Sequence, residues 1–306
     1  SFLLLGIIII DEQHRFGVNQ RLSLRSKNIE TALIPHQLTL TATPIPRTMA
    51  MSVYANMDIS IIDELPPGRL PIQTTSLGMK KKDQLIGRIK EACLKGSQVY
   101  WVCALIEESE LMNANPVEET YEQIIKQIPS IECSFLHGKM KSDEKLNTIN
   151  KFKNGETQIM VSTTVIEVGV DVPDADIMII ENAERFGLAQ LHQLRGRIGR
   201  GKKQSHCILL HNESIGDIAY QRMDILKEST DGFFIAEKDL IIRGPGEIMG
   251  SQQTGVIPFK YTDLMRDSSF LEETKVIAEK IYKEDKVNSN KLIQRWLSGS
   301  IEFADA

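Results

Sequence analysis

The 306-residue chain contains no Gly-x-x-x-x-Gly-Lys-Ser/Thr run. Gly138-Lys139 comes nearest, but Met140 stands where a hydroxyl is required. Such a loop cradles phosphates with successive backbone N–H groups, so a self-sufficient phosphate-binding core of that kind is excluded. Long apolar stretches are also missing. The run Phe2–Ile10 is far short of the about 20 residues a membrane-spanning helix needs. With no basic flank before it, it makes a poor signal peptide. Cysteine is scarce: Cys93, Cys103, Cys133 and Cys207 show no metal-ligand spacing and read as reduced, mostly buried thiols of a cytoplasmic protein. Excess positive charge is absent, the net charge being -5. Contact with a polyanion must therefore come from local basic surface rather than the whole-molecule field. There is no internal repeat and no low-complexity tract.

What is present is alternation. Ile7–Ile10 reads as a strand buried on both faces, and Gln37–Ala42 as a second, stopped by Thr43-Pro44-Ile45-Pro46. Glu64-Leu65-Pro66-Pro67-Gly68-Arg69 is a linker, since paired prolines remove donors and fix φ. Helices are predicted over 83–94, 117–128 and 142–153, the last with Ser142 as N-cap. Strands are predicted over 98–104, 131–136, 158–162, 177–181 and 206–210. This spacing predicts a doubly wound parallel α/β sheet. Further on, helices are predicted over 220–230, 233–240, 264–283 and 289–297, with a loop at Arg243–Gly250. Gly244-Pro245-Gly246 is not a dinucleotide fingerprint, because it follows no strand and Gly250 falls one place late.

Several segments carry chemistry. Gln193-x-x-Gly196-Arg197-x-x-Arg200 ends a run rich in arginine and glycine that also includes Arg195. Guanidinium groups are planar, permanently charged and shaped for phosphate oxygens. Glycines beside them let the backbone approach another surface. Asp11-Glu12-Gln13-His14 follows a strand directly, where a carboxylate can hold Mg²⁺ against nucleotide phosphates and a neighbour can orient water. Thr41-Ala42-Thr43-Pro44 places hydroxyls at a second strand end. Ser162-Thr163-Thr164 and Gly169-Val170-Asp171 follow another strand, and small hydroxyls with a glycine suit close approach to phosphates.

These motifs resemble superfamily 2 helicases. Asp11 to Val18, Thr41 to Thr48, and Asp63 to Arg69 resemble the RecG helicase family. Glu184 to Arg197 resembles a segment shared by RecG and the transcription-repair coupling factor. Ile235 to Gly255 resembles the translocation motif of those two families, a helical hairpin plus loop. The resemblance covers the chain to about Ser268.

The resemblance implies two RecA-like lobes, a partial first over 1–63 and a complete second over 73–216. A linker at 64–72 would join them, and a translocation-motif hairpin, loop and helices would occupy 217–306. It implies ATP and Mg²⁺ as cofactors, ATP lying between lobes. Asp11 is expected to serve the metal and Glu12 the water, with Arg197 and Arg200 as cationic fingers. Gln13, His14, Thr41, Thr43, Gly169, Asp171 and Gln193 are expected to couple nucleotide state to movement. His137, Thr163, Thr164, Arg243, Gly244, Gly246 and Gln253 are expected to contact or move DNA.

The implied activity is double-strand DNA translocation in repair and recombination. The implied partners are branched DNA (forks and Holliday junctions) and single-strand DNA-binding protein. The family's upstream wedge and phosphate-loop region would complete the protein. The chain is accordingly expected to be a C-terminal fragment, nucleoid-associated in the cytoplasm, that hydrolyses no ATP alone. The alternatives are a transcription-repair coupling motor, favoured less by Gln13 and Pro66-Pro67-Gly68-Arg69, and a non-catalytic nucleic-acid-binding module.

Overall fold

The computed structural model describes residues 5–12, 35–41, 58–62, 64, 66–104, 116–163, 172, 175–201, 203–243 and 266–297. They divide into two compact units, Ser60–Asp239 and a second that groups Ser1–Ile59 with Leu240–Ala306.

The larger unit is built on six parallel strands: β3 (Gln73–Gly78), β4 (Gln98–Cys103), β5 (Cys133–Leu136), β6 (Ile159–Ser162), β7 (Ala175–Glu181) and β8 (His206–His211). Their order across the sheet is β3-β8-β7-β4-β6-β5. Every residue of β4, β6 and β7 is buried, as expected where helices cover both faces of a parallel sheet. The covering helices are α1 (Lys82–Leu94), α2 (Pro116–Gln127), α3 (Ser142–Lys153), α4 (Leu188–Arg195) and α5 (Asp217–Glu228), followed by α6 (Gly232–Arg243). α1 buries Leu85, Ile86, Ile89 and Cys93, one stripe at helical spacing. It packs with Val99, Trp101, Ile159, Val161 and Ile179 into one core. Tyr100 is also wholly buried, its ring 4.9 Å from that of Phe152.

In the smaller unit β1 (Ile7–Asp11) pairs in parallel with β2 (His36–Leu40), Asp11 lying opposite Leu40. Helices α7 (Leu271–Glu284) and α8 (Lys286–Leu297) belong to the same unit.

The structure corrects four expectations. β1 is not buried on both faces: Ile8 and Ile10 are, whereas Ile7 is 54% and Ile9 61% exposed. Alternate side chains point to opposite faces, and only one face is covered by described residues. The N-cap of α3 is Lys141, whose N–H donates to the Glu144 carboxylate at 3.4 Å. Ser142 is therefore already inside the helix. Arg243 ends α6 rather than opening a loop. A 3-10 turn over Ser268–Phe270 precedes α7, and no single helix runs through 264–283.

Strand β3 is new. Its sequence Gln-Thr-Thr-Ser-Leu-Gly is mostly polar, and among the described residues it lies at the sheet edge beside β8.

Candidate functional site

In an open α/β sheet, ligands favour the crevice at strand C-termini where outgoing connections diverge. Here that place lies between β7, whose chain leaves toward β8, and β4, whose chain leaves toward β5. The crevice is filled. Glu181 ends β7 and takes a 2.6 Å ion pair from Lys82 Nζ and a 2.7 Å hydrogen bond from Trp101 Nε1. Thr120 Oγ1 donates to the same carboxylate at 3.3 Å. The Cys103 thiol, opposite Glu181 at the end of β4, is pushed up to about 12, first by burial and then by the Glu181 carboxylate. An internal ion pair with all its partners supplied leaves little there for a ligand to engage.

Chemistry is instead available at the neighbouring exits. β5 and β6 end side by side, Leu136 opposite Ser162. The Thr163 N–H donates to Leu136 O at 3.3 Å, so Thr163 and His137 emerge together. Ser162 Oγ, Thr163 Oγ1 and His137 Nδ1 are all buried with no hydrogen-bond partner. Orphaned buried polar atoms are uncommon and costly, and three of them at adjacent strand ends form a ready set of hydrogen-bonding groups. His137 Nε2 lies 3.5 Å from Glu118, and its ring stacks on Phe135. α3, which starts just beyond, carries Lys145, whose Nζ donates to Gly138 O at 2.7 Å. Thr164, Gly169 and Asp171 lie outside the described residues.

The arginine segment separates into two kinds of residue. Arg195, the last residue of α4, is 2% exposed. Its Nη1 donates to Leu226 O at 2.7 Å, Ser229 O at 2.9 Å and Thr74 Oγ1 at 3.3 Å. Its Nη2 meets His192 Nδ1 at 3.0 Å. Burial lowers the Arg195 pKa from its ordinary value. Burial, followed by the Arg195 charge, lowers that of His192 to about 4. Neutral His192 therefore accepts from Arg195 through Nδ1. Arg195 binds the end of α4 to the C-terminal end of α5.

Beyond it the chain turns outward. Gly196 caps α4, Arg197 is half-buried, Gly199 adopts a positive φ of 77°, and Arg200 is exposed. A Cβ on Gly199 would stand 3.1 Å from Ile72 Cγ1, so both conformation and packing require glycine there. The linker reaches the same turn. Arg69 donates through Nε to Gly199 O at 3.0 Å and through Nη2 to Ile198 O at 3.2 Å. Gln193 is half-buried on α4.

In the smaller unit, Asp11 is exposed at the end of β1, and Glu12 follows with φ 53°. A left-handed non-glycine residue costs roughly 1–2 kcal/mol, and such strain concentrates at functional positions. Thr41 leaves the adjoining strand directly after Leu40, beside this acidic end. Gln13, His14 and Thr43 lie outside the described residues, as do Gly244, Gly246 and Gln253. Arg243 is described as the end of α6. Among the described residues no cluster of His, Cys, Asp or Glu could by itself hold a metal ion. The single exposed carboxylate of Asp11 suits a metal whose other ligands are phosphate oxygens and water, as Mg²⁺ prefers. No helix among the described residues is long and apolar enough to cross a membrane.

Sequence reasoning missed the inward role of Arg195 and the grip of Arg69. The one available signal for Arg69 was an arginine directly after a Pro-Pro-Gly turn.

Comparison with known proteins bears on the fold and the family. Residues 80–202 match the helicase conserved C-terminal domain. Residues 229–296 match the C-terminal part of domain 3 of the ATP-dependent DNA helicase RecG. Helicase Lhr of Mycobacterium smegmatis, solved with single-stranded DNA and AMP-PNP, shares the fold at TM-score 0.52 and 18% identity over 72% of this chain and 31% of its own. The parallel sheet, the arginine segment and these matches define a RecA-like helicase lobe of superfamily 2.

Within that class the relatives are specific. ATP-dependent DNA helicase RecG of Escherichia coli K12 is 50% identical over 99% of this chain. RecG of Haemophilus influenzae is 48% identical over 99%, and that of Aquifex aeolicus 47% over 93%. A RecG structure bound to a three-way DNA junction matches at TM-score 0.65 and 41% identity, covering 89% of this chain and 34% of that one. The chain belongs to the RecG helicase family, and it spans 44% of the length of its Escherichia coli relative.

Proposed function

We propose that this chain supplies the second motor lobe, the acidic strand end and the translocation hairpin of an ATP-dependent double-strand DNA translocase. The whole protein would remodel stalled forks and migrate branched junctions. The observation that carries this reading is the split within one arginine segment. Arg195 is buried and bonded to its own domain, whereas Arg197 and Arg200 leave the core on a glycine turn that is itself clamped.

Bound ATP with Mg²⁺ supplies the phosphoryl group whose transfer to water drives movement. Asp11 would hold the metal, and Glu12 would orient the attacking water. Arg197 and Arg200 neutralise charge developing on the transferred group, an effect worth roughly 10³–10⁵ in rate where an arginine finger acts. Gln193 and Thr41 report nucleotide state to the rest of the motor. Thr163 and His137 offer their unpaired polar atoms to the DNA backbone, which positions the protein without reading sequence. Arg243, at the end of α6, passes motion to the residues that follow it in the chain. Branched DNA is the substrate this reading favours, as the junction-bound RecG relative suggests.

The test uses the full-length ATPase carrying this chain. Arg200→Ala should abolish DNA-stimulated hydrolysis while nucleotide binding persists. Wild-type turnover in that variant removes Arg200 from the mechanism.

A further inference from the structure

The segment that leads into β3 does more than connect. Arg69 spans the finger turn with two short hydrogen bonds, to Gly199 O at 3.0 Å and Ile198 O at 3.2 Å. A third, longer approach of 3.4 Å reaches Gly196 O. Three carbonyls that flank Arg197 and precede Arg200 thus converge on one guanidinium. The contact continues along the strap. Ile72 packs on Gly199 so closely that a Cβ there would sit 3.1 Å away. Gln204 Nε2 donates to Pro71 O at 2.7 Å, and the Gln73 N–H donates to Ser205 O at 2.9 Å. Residues 69–73 are therefore fastened to 196–205, on both sides of the two arginines.

The fastening is specific to arginine. A planar guanidinium presents several N–H donors in a fixed fork, whereas an ammonium is a point donor on a flexible stem. Ile198 and Gly199 lie beyond the end of α4, so their carbonyls are outside its hydrogen-bond ladder. A cation at that end satisfies them and holds the turn in one shape. It adds to the packing of Ile72 a direct hold on the carbonyls on either side of Arg197, at a turn whose pivot is the left-handed Gly199.

We propose that Arg69 is a positioning residue for phosphoryl transfer, which fixes the Arg197–Arg200 turn in the geometry that the transition state requires. The proposal rests on the reading of Arg197 and Arg200 as fingers. Misplacing such a group by about 1 Å can cost 10²-fold in rate, while affinity for the nucleotide, set mainly elsewhere, stays put.

The experiment measures DNA-stimulated ATP hydrolysis by the full-length protein with Arg69→Met, Arg69→Lys, Arg200→Lys and the Arg69→Met/Arg200→Lys pair. For Arg69→Met we expect kcat to fall at least tenfold with KM for ATP within twofold of wild type. Arg69→Lys should recover part of the loss. If Arg69 acts through the finger turn, Arg69→Met should cost markedly less in the Arg200→Lys background than in the wild type. An unchanged kcat in Arg69→Met, or the same fold-loss in both backgrounds, overturns the proposal. If Arg69→Met does not fold, Arg69→Lys decides alone: an unchanged kcat overturns the proposal and a several-fold loss at constant KM supports it. Full activity in Arg200→Lys and Arg200→Ala together refutes the finger reading itself, an outcome distinct from any failure of Arg69.

Discussion

Replacing Gly199 with alanine tests whether the finger turn is held by packing as well as by backbone conformation. Two costs are expected. A Cβ at φ 77° carries a left-handed penalty of roughly 1–2 kcal/mol. The same Cβ would stand 3.1 Å from Ile72 Cγ1 and 3.5 Å from Ser205 Oγ. Local displacement of Ile72 adds about 1 kcal/mol, the low end for overpacking. Two other glycines separate these terms. Gly155 also has a positive φ, 74°, but a Cβ there meets nothing within 4 Å. Gly155→Ala should therefore cost only the conformational part, roughly 1–2 kcal/mol. Gly196 has φ -64° and ψ -11°, with its nearest contact at 3.4 Å. Gly196→Ala should be neutral or stabilise by about 0.4–1 kcal/mol through the unfolded chain. A domain of this size shifts its midpoint by about 2–4 °C per kcal/mol. Thermal unfolding of the 306-residue chain, followed by circular dichroism, should therefore rank Gly196→Ala highest and Gly199→Ala lowest. The gap between Gly155→Ala and Gly199→Ala should be about 2–4 °C. If Gly199→Ala loses no more than Gly155→Ala, the packing of Ile72 contributes nothing to holding the turn.

Three further outcomes follow from the same geometry. Arg195→Met leaves the Leu226 and Ser229 carbonyls without their donor, and urea unfolding should show a loss of about 3–5 kcal/mol; a loss below about 1 kcal/mol would deny the anchor its role. Glu181→Gln leaves the Lys82 ammonium, 12% exposed, without its counter-charge. It should destabilise by about 3–5 kcal/mol, with the Glu181→Gln/Lys82→Met pair recovering part of that loss, and strict additivity of the two substitutions would count against a coupled pair. His192 has its folded pKa lowered from 6.5 to about 4, so the unfolded chain takes up a proton that the folded one refuses. Stability should fall as pH drops from about 6.5 toward 4, by at most about 3 kcal/mol, and no further below; His192→Gln should flatten that slope between pH 7 and 5, and an unaltered slope would show that another group is responsible.

Much of the lobe could be read along the chain because its central strands are continuous apolar runs. Ile-Met-Val-Ser and Gln-Val-Tyr-Trp-Val-Cys are buried throughout, and burial on both faces leaves no ambiguity of period. α3 runs over the residues its pattern predicted, though its cap moved by one position because Glu144 serves the Lys141 N–H. β3 escaped because an edge strand can be polar. Its burial pattern mixes exposed and half-buried residues, and among the described residues one side of its ladder has no neighbour. β1 was misjudged for the opposite reason: an unbroken isoleucine run looks the same in sequence whether one face is covered or two.

The sequence by itself determined the chemistry on offer and the family. Acidic residues at a strand end, hydroxyls at another, and arginines spaced among glycines are local patterns, legible without coordinates. Only the tertiary structure decided what each arginine does. Arg195, Arg197 and Arg200 lie within six consecutive residues, yet one is sealed against α5 and the other two leave the core. The partners that make the difference, Leu226, Ser229 and Arg69, are more than thirty residues away along the chain on the nearer side and well over a hundred on the farther, at separations of 31, 34 and up to 130 residues. Hydrogen bonds across such separations are set by how the sheet orders its strands, and no local pattern of residue types encodes that order.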